Sequence, residues 1–276
     1  MPRLNQVILA AALIASTFAI SSGSQAADNS RFDMVGLTLG MTPDAALAAL
    51  RTHGVNEQSI DVSRLSYRYS DGLKHDYSTD DFIHKINAHV DEHVDGKRRT
   101  DTLNLYFSPP PKGGRLVAVR RTIENRVNPI TTGQFRQAVL DKYGQPAADV
   151  SGVLNWKFGG GDRNCISNSP NGTGIPLPET SYRKSQSILD FVYHRSASQY
   201  DLNRFRAPRV SALEECASML EYRIKAGDQY PATNVSAYLI DVRGWVNAEL
   251  AAGAWVDGLR RDAVQRREGA GGKPAL

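Results

Sequence analysis

Ile86-Asn87-Ala88-His89-Val90 and Thr102-Leu103-Asn104-Leu105-Tyr106-Phe107 alternate apolar and polar side chains with a period of two. Successive side chains on a strand point to opposite sides, so Ile86, Ala88 and Val90 share one surface, as do Leu103, Leu105 and Phe107. That is the spacing of half-buried β-strands. Arg115 to Ile123 is a further β-rich stretch, and Lys112-Gly113-Gly114 places a hairpin before it. Leu65, Tyr67 and Tyr69 alternate with Ser66 and Arg68, which gives the expectation of another strand ahead of these.

Helix signals bracket the β-rich region. Thr42-Pro43-Asp44 combines a capping hydroxyl, a proline suited to the first turn and an acid that complements the helix dipole. Leu47 and Leu50 then form an apolar stripe, and Gly54 after His53 is a stop. A second helix is expected from Thr131 or Thr132 through Phe135, Val139 and Leu140, ending at Tyr143-Gly144-Gln145-Pro146. Beyond it the order recurs, with strands near Val153–Phe158, Ile188–Tyr193, Leu220–Ile224 and Val235–Asp241 and a last helix over Gly244–Arg260. Strands and helices grouped in this way predict an α+β fold: an antiparallel sheet of about eight strands with helices packed on one face. The sheet is expected to be either continuous or split into two similar four-stranded halves. The expected divisions are a leader over 1–26, an N-terminal half over 27–146, a C-terminal half over 147–260 and a flexible tail over 261–276.

The leader is read from Arg3, the apolar run Val7–Ile20, and small residues Ser24 and Ala26 ahead of a cleavage point. The run is shorter than the roughly 20 residues a spanning helix needs. It therefore predicts a secreted chain, periplasmic and free of a membrane span once Ala26 is passed. The 276 residues are 41% hydrophobic and 22% charged, which excludes collagen and wholly disordered classes. A net charge of +4, evenly spread, gives no reason to expect nucleic acid as a partner. The arginine pairs Arg260-Arg261 and Arg266-Arg267 are interleaved with Asp262 and Glu268, as in a solvated tail.

Cys165 and Cys216 are the only cysteines, and an even count behind a secretory leader predicts that they pair. The segment Gly159–Ser187, which runs through Cys165, is rich in glycine and proline, so a covalent tie would help to order it. A cysteine nucleophile with His194 as its base would need a reduced thiol, which an oxidising compartment does not supply. The richest cluster of metal-ligand types is His84, His89 and His93 with Asp91, Glu92 and Asp95. On a strand His89 and His93 stand about 13 Å apart at ~3.3 Å per residue, so only His89 with Asp91, or Asp91 with His93, could share an ion. Gly159-Gly160-Gly161 lacks the lysine and hydroxyl residue of a phosphate loop, and no nucleophile elbow, zinc helix or paired C-x-x-C is present. No cofactor is expected. Tyr67, Arg68, Tyr69 and Tyr106, with Tyr193 and Tyr200, are residue types favoured at protein contacts.

The opening Val35-Gly36-Leu37-Thr38-Leu39-Gly40-Met41-Thr42-Pro43, followed by Ala45, Ala46, Leu47 and Leu50, resembles the start of small secreted bacterial domains of the SmpA/OmlA and β-lactamase-inhibitor-protein-like type. The resemblance implies a helical element on an antiparallel sheet and a role in binding other envelope proteins. The order of elements resembles the tandem repeat of the inhibitor type, although the single cysteine pair and the single helix opening each half depart from it. No lipid-attachment cysteine follows Ala26, which separates the chain from the lipoprotein branch. The combined expectation is a soluble, non-catalytic periplasmic protein that binds another envelope or secreted protein through a sheet face or the tied loop. Metal binding through His89, Asp91 and His93, and an envelope hydrolase of unrecognised type, are the alternatives.

Overall fold

The computed structural model describes residues 31–73, 75–167, 175–176 and 213–270. The expected leader, the expected strand at 188–193, His194, Tyr193 and Tyr200 lie outside the described residues.

A short hairpin, β1 (Asp33–Met34) and β2 (Leu37–Thr38), leads into α1 (Pro43–Thr52). Thr42 caps α1 by accepting from the Ala45 N–H, Pro43 occupies the first turn, and Ala46 and Leu50 are its buried residues. Then come β3 (Ile60–Leu65), β4 (Arg68–Ser70), β5 (Asp76–Ser78), β6 (Phe82–Val94), β7 (Lys97–Phe107) and β8 (Leu116–Asn125). Asp95 and Gly96 join β6 to β7 with φ of 50° and 72°, the double positive φ that a tight two-residue hairpin requires. The second helix, α2 (Thr132–Tyr143), starts with a reciprocal capping box between Thr131 and Gln134 and stops at Gly144. Both helix starts stand where the capping residues place them.

The remainder comprises β9 (Ala148–Val150), β10 (Val153–Phe158), β11 (Ile166–Ser167), β12 (Ile175–Pro176), β13 (Ser218–Arg223), β14 (Asn234–Ile240) and α3 (Val242–Gly269). Eight strands form one sheet in the order β3-β6-β7-β8-β14-β13-β10-β9, antiparallel at every step. Each half of the chain contributes a meander, and the two meanders meet through their last strands. Along that seam Ile123 pairs with Val235, Arg121 with Ala237 and Val119 with Leu239. The sheet is therefore continuous across Pro146, and the two halves are mirrored in strand order within it.

Alternation assigns the two faces. On one, Ile86, Leu103, Leu105, Val119, Leu154, Trp156, Leu220 and Leu239 join Leu50 of α1 and Val139 and Tyr143 of α2 in the main core. On the other, Tyr106, Ala118, Met219 and Ile240 pack beneath Val242 and Val246 of α3. The antiparallel α+β architecture is as the sequence predicts, but the helices occupy both faces, because α3 covers the side opposite α1 and α2. Two further expectations change. The helix continues past Arg260 to Gly269, so 261–269 is ordered helix: Ala263 is buried and Arg267 donates to the Asp71 carbonyl. The alternation at Leu65–Tyr69 is not one strand: β3 ends at Leu65, and β4 pairs with β5 in a separate hairpin packed against α3. There Tyr67 lies against Ala252 and Val256.

Cys165 and Cys216 form a disulfide with Cα atoms 5.5 Å apart, buried in the cluster under α3. With its ends 51 positions apart, the bridge restricts the unfolded chain by about 4 kcal/mol in the loop-entropy account. Gly161 is needed beside it, since a Cβ there would sit 2.4 Å from the Cys216 carbonyl group. Among the described residues no helix is long and apolar enough to cross a membrane.

Candidate functional site

The expected metal segment lies on β6, with His89, Asp91 and His93 exposed on the same side. Pairing with β7 sets them opposite Thr102, Thr100 and Arg98. Arg98 grips the Asp91 carboxylate at 2.9 and 2.8 Å, and Thr100 adds a contact at 3.4 Å. The Arg98 hydrogen bonds hold the Asp91 carboxyl below its ordinary range. That carboxylate is already engaged, and among the described residues no group of three or more His, Cys, Asp or Glu is arranged to hold a metal ion. Tyr67 and Tyr106 are buried under α3, and Tyr69 stacks on Tyr77 with centroids 5.3 Å apart. Of the four residues expected to form a recognition surface, only Arg68 is exposed. The other rings serve packing: α3 covers the side of the sheet on which Tyr106 stands, and Tyr67 and Tyr69 pack against α3 from the β4–β5 hairpin and the residue before it.

The α3 side of the sheet continues beyond the helix as rows of polar side chains, of which Asn155 and Glu221 are buried and Asn104, Arg120 and Tyr238 are partly exposed. One transverse row reads Asn104, Arg120, Tyr238, Glu221 and Asn155 across β7, β8, β14, β13 and β10. The next reads Thr102, Thr122, Ser236 and Arg223. The Tyr238 ring lies between two guanidinium groups, those of Arg120 and Arg223, each 5.9 Å from its centroid. Arg223 donates to Glu221 at 2.6 Å, and the Asn155 amide donates to the other carboxylate oxygen at 3.2 Å. Glu221 is thereby fixed in place by two donors, and the arginine that holds it also braces the tyrosine. These are central strands of the sheet, so the backbone carrying the row is paired on both sides. Thr102, Asn104, Thr122, Ser236 and Arg223 are each partly exposed.

The helix-covered core side carries a second polar feature. Asp101 of β7 is buried and is gripped by Arg121 of β8, whose Nε donates at 2.9 and 3.2 Å and whose Nη2 donates at 2.6 Å. His53, the capping residue at the end of α1, completes the set with Nε2 3.1 Å from Asp101. Burial alone would push the Asp101 carboxyl up, but the hydrogen bonds and charge of Arg121, with His53 adding to them, outweigh it and hold the group below its ordinary value. Arg121 fits on this side because its partner on β14 is the small Ala237. Beyond that residue stand Tyr222 and Tyr143, whose hydroxyls are 3.4 Å apart and whose phenols burial pushes up.

A cavity of about 140 Å³ opens beside this network, lined by His53, Val90, Glu92, Arg99 and Asp101. Among the described residues that line it there is no hydroxyl or thiol. Neither polar feature was singled out from the sequence, yet the second left a signal. Asp101 occupies the apolar phase of Leu103, Leu105 and Phe107, and Arg121 that of Val119 and Ile123. A charge in the buried phase of a strand needs a partner on a neighbouring strand.

Comparison of the chain with protein-family models, with curated proteins and with solved structures finds no match.

Proposed function

We propose that this chain is a soluble, non-catalytic periplasmic protein that binds another envelope or secreted protein through the polar part of its sheet. The observation that carries the reading is the fixed cluster of Arg120, Tyr238 and Arg223 on central strands, braced by the buried Glu221. Tyrosine and arginine are the residues that most often carry contact energy, and ordering them in advance lowers the entropy cost of association. The Cys165–Cys216 disulfide supports an oxidising compartment, and the leader read over residues 1–26 supports export.

Photo-crosslinking in the native envelope tests this. A photoreactive residue at Thr122 or Ser236 should capture a discrete protein, whereas one at the exposed Gln137 of α2 should not. Equal capture at all three positions, or none at the first two, would overturn the reading.

A further inference from the structure

The cavity at the end of α1 combines both signs of charge in a small volume. Glu92 and Arg99 are cross-strand partners on β6 and β7, and their side chains approach only to 3.7 Å while remaining 50% and 54% exposed. An ion pair this open to water is weak, and separating it costs little. Asp101 is committed to Arg121 and His53, so it contributes shape and not a free charge. Among the described lining residues Val90 is the apolar one.

At about 30 Å³ of liquid per water, a cavity of about 140 Å³ has room for roughly four or five waters, or for an organic molecule of about six heavy atoms. A ligand carrying its own separated charges would replace one loose ion pair by two directed ones. We propose that this cavity binds a small zwitterion of the α-amino-acid class, with the ligand carboxylate on Arg99, its ammonium on Glu92 and its short side chain against Val90. His53 closes the site from the α1 side. A bare carboxylate would engage Arg99 alone and a bare amine Glu92 alone, so each would make only one of the two contacts. The site therefore selects for both groups on one small molecule.

The cavity lies on the helix-covered core side and the proposed protein-binding rows lie on the α3 side, so either assignment can fail without the other. Calorimetric titration of the disulfide-bonded protein with L-alanine, acetate and methylammonium tests it, alongside the imidazole resonance of His53 followed by NMR. L-Alanine should bind and move the His53 signal, with acetate and methylammonium at least roughly tenfold weaker. Arg99→Ala and Glu92→Gln, both at exposed positions, should each weaken L-alanine by roughly tenfold or more with an unchanged circular dichroism spectrum. Acetate binding as tightly as L-alanine would overturn the proposal in favour of an anion site. Absence of L-alanine binding, or affinity indifferent to both variants, would overturn it outright.

Discussion

Asp101 is a full charge where the strand alternation reserves space for apolar side chains, and its environment makes it a sensitive reporter of folding. Its side chain is 8% exposed and that of Arg121 is 16% exposed, so removing one charge leaves the other buried without compensation. Asp101→Asn should destabilise the protein by about 3 kcal/mol at neutral pH. The folded carboxyl is held below its unfolded value of about 3.9, so the stability it contributes is present above that pH and is lost as pH falls through the lower folded value. Urea denaturation at pH 7 and near pH 2.5 should show the gap between wild type and Asp101→Asn narrowing at the acid end. A gap that stays constant with pH would mean that the buried ion pair is not the source of the difference.

Among the elements, α3 departs furthest from what its sequence promised. Its C-terminal turns bury Ala263 and reach the hairpin of β4 and β5 through the hydrogen bond from Arg267 to the Asp71 carbonyl. Deleting everything from Arg261 onward should remove about 2 kcal/mol, lower Tm by roughly 4 to 8 °C, and speed amide exchange in β4 and β5. Unchanged exchange in the hairpin would show that the last turns of the helix do not support it. The interleaved charges of Arg260, Arg261, Asp262, Arg266, Arg267 and Glu268 read as a solvated tail because a helix resting on a small hairpin needs few buried positions. By contrast, α1 and α2 were legible almost to the residue, since Thr42-Pro43-Asp44 and Thr131 with Gln134 are local signals that no distant contact has to supply. The long strands were legible for the same reason. Tyr67 and Tyr106 show the limit of that legibility: alternation assigns a ring to a face, and only tertiary packing decides whether a helix covers it. The cavity beside His53 is assembled from α1, β6 and β7, so its signal was confined to the misplaced phase of Asp101.

Across the whole molecule, the pairing of β8 with β14 makes the two meanders a single cooperative unit. Seven residue pairs join the central strands there, and the main core draws on both halves. Urea unfolding followed by tryptophan fluorescence and by far-ultraviolet circular dichroism should give one coincident transition. Two separated midpoints would show that the N-terminal and C-terminal halves hold their own stability. The same seam sets a schedule for biosynthesis. Ile123 waits for Val235, which is made more than a hundred positions later, so the growing chain completes its first meander while β8 is still an open edge. That edge carries the apolar run Leu116-Val117-Ala118-Val119, which by itself would invite pairing with another nascent molecule. Arg120, Arg121 and Glu124 follow it along the strand. Charges placed there repel a stray strand during the interval before β14 arrives, and become part of the finished sheet once it does.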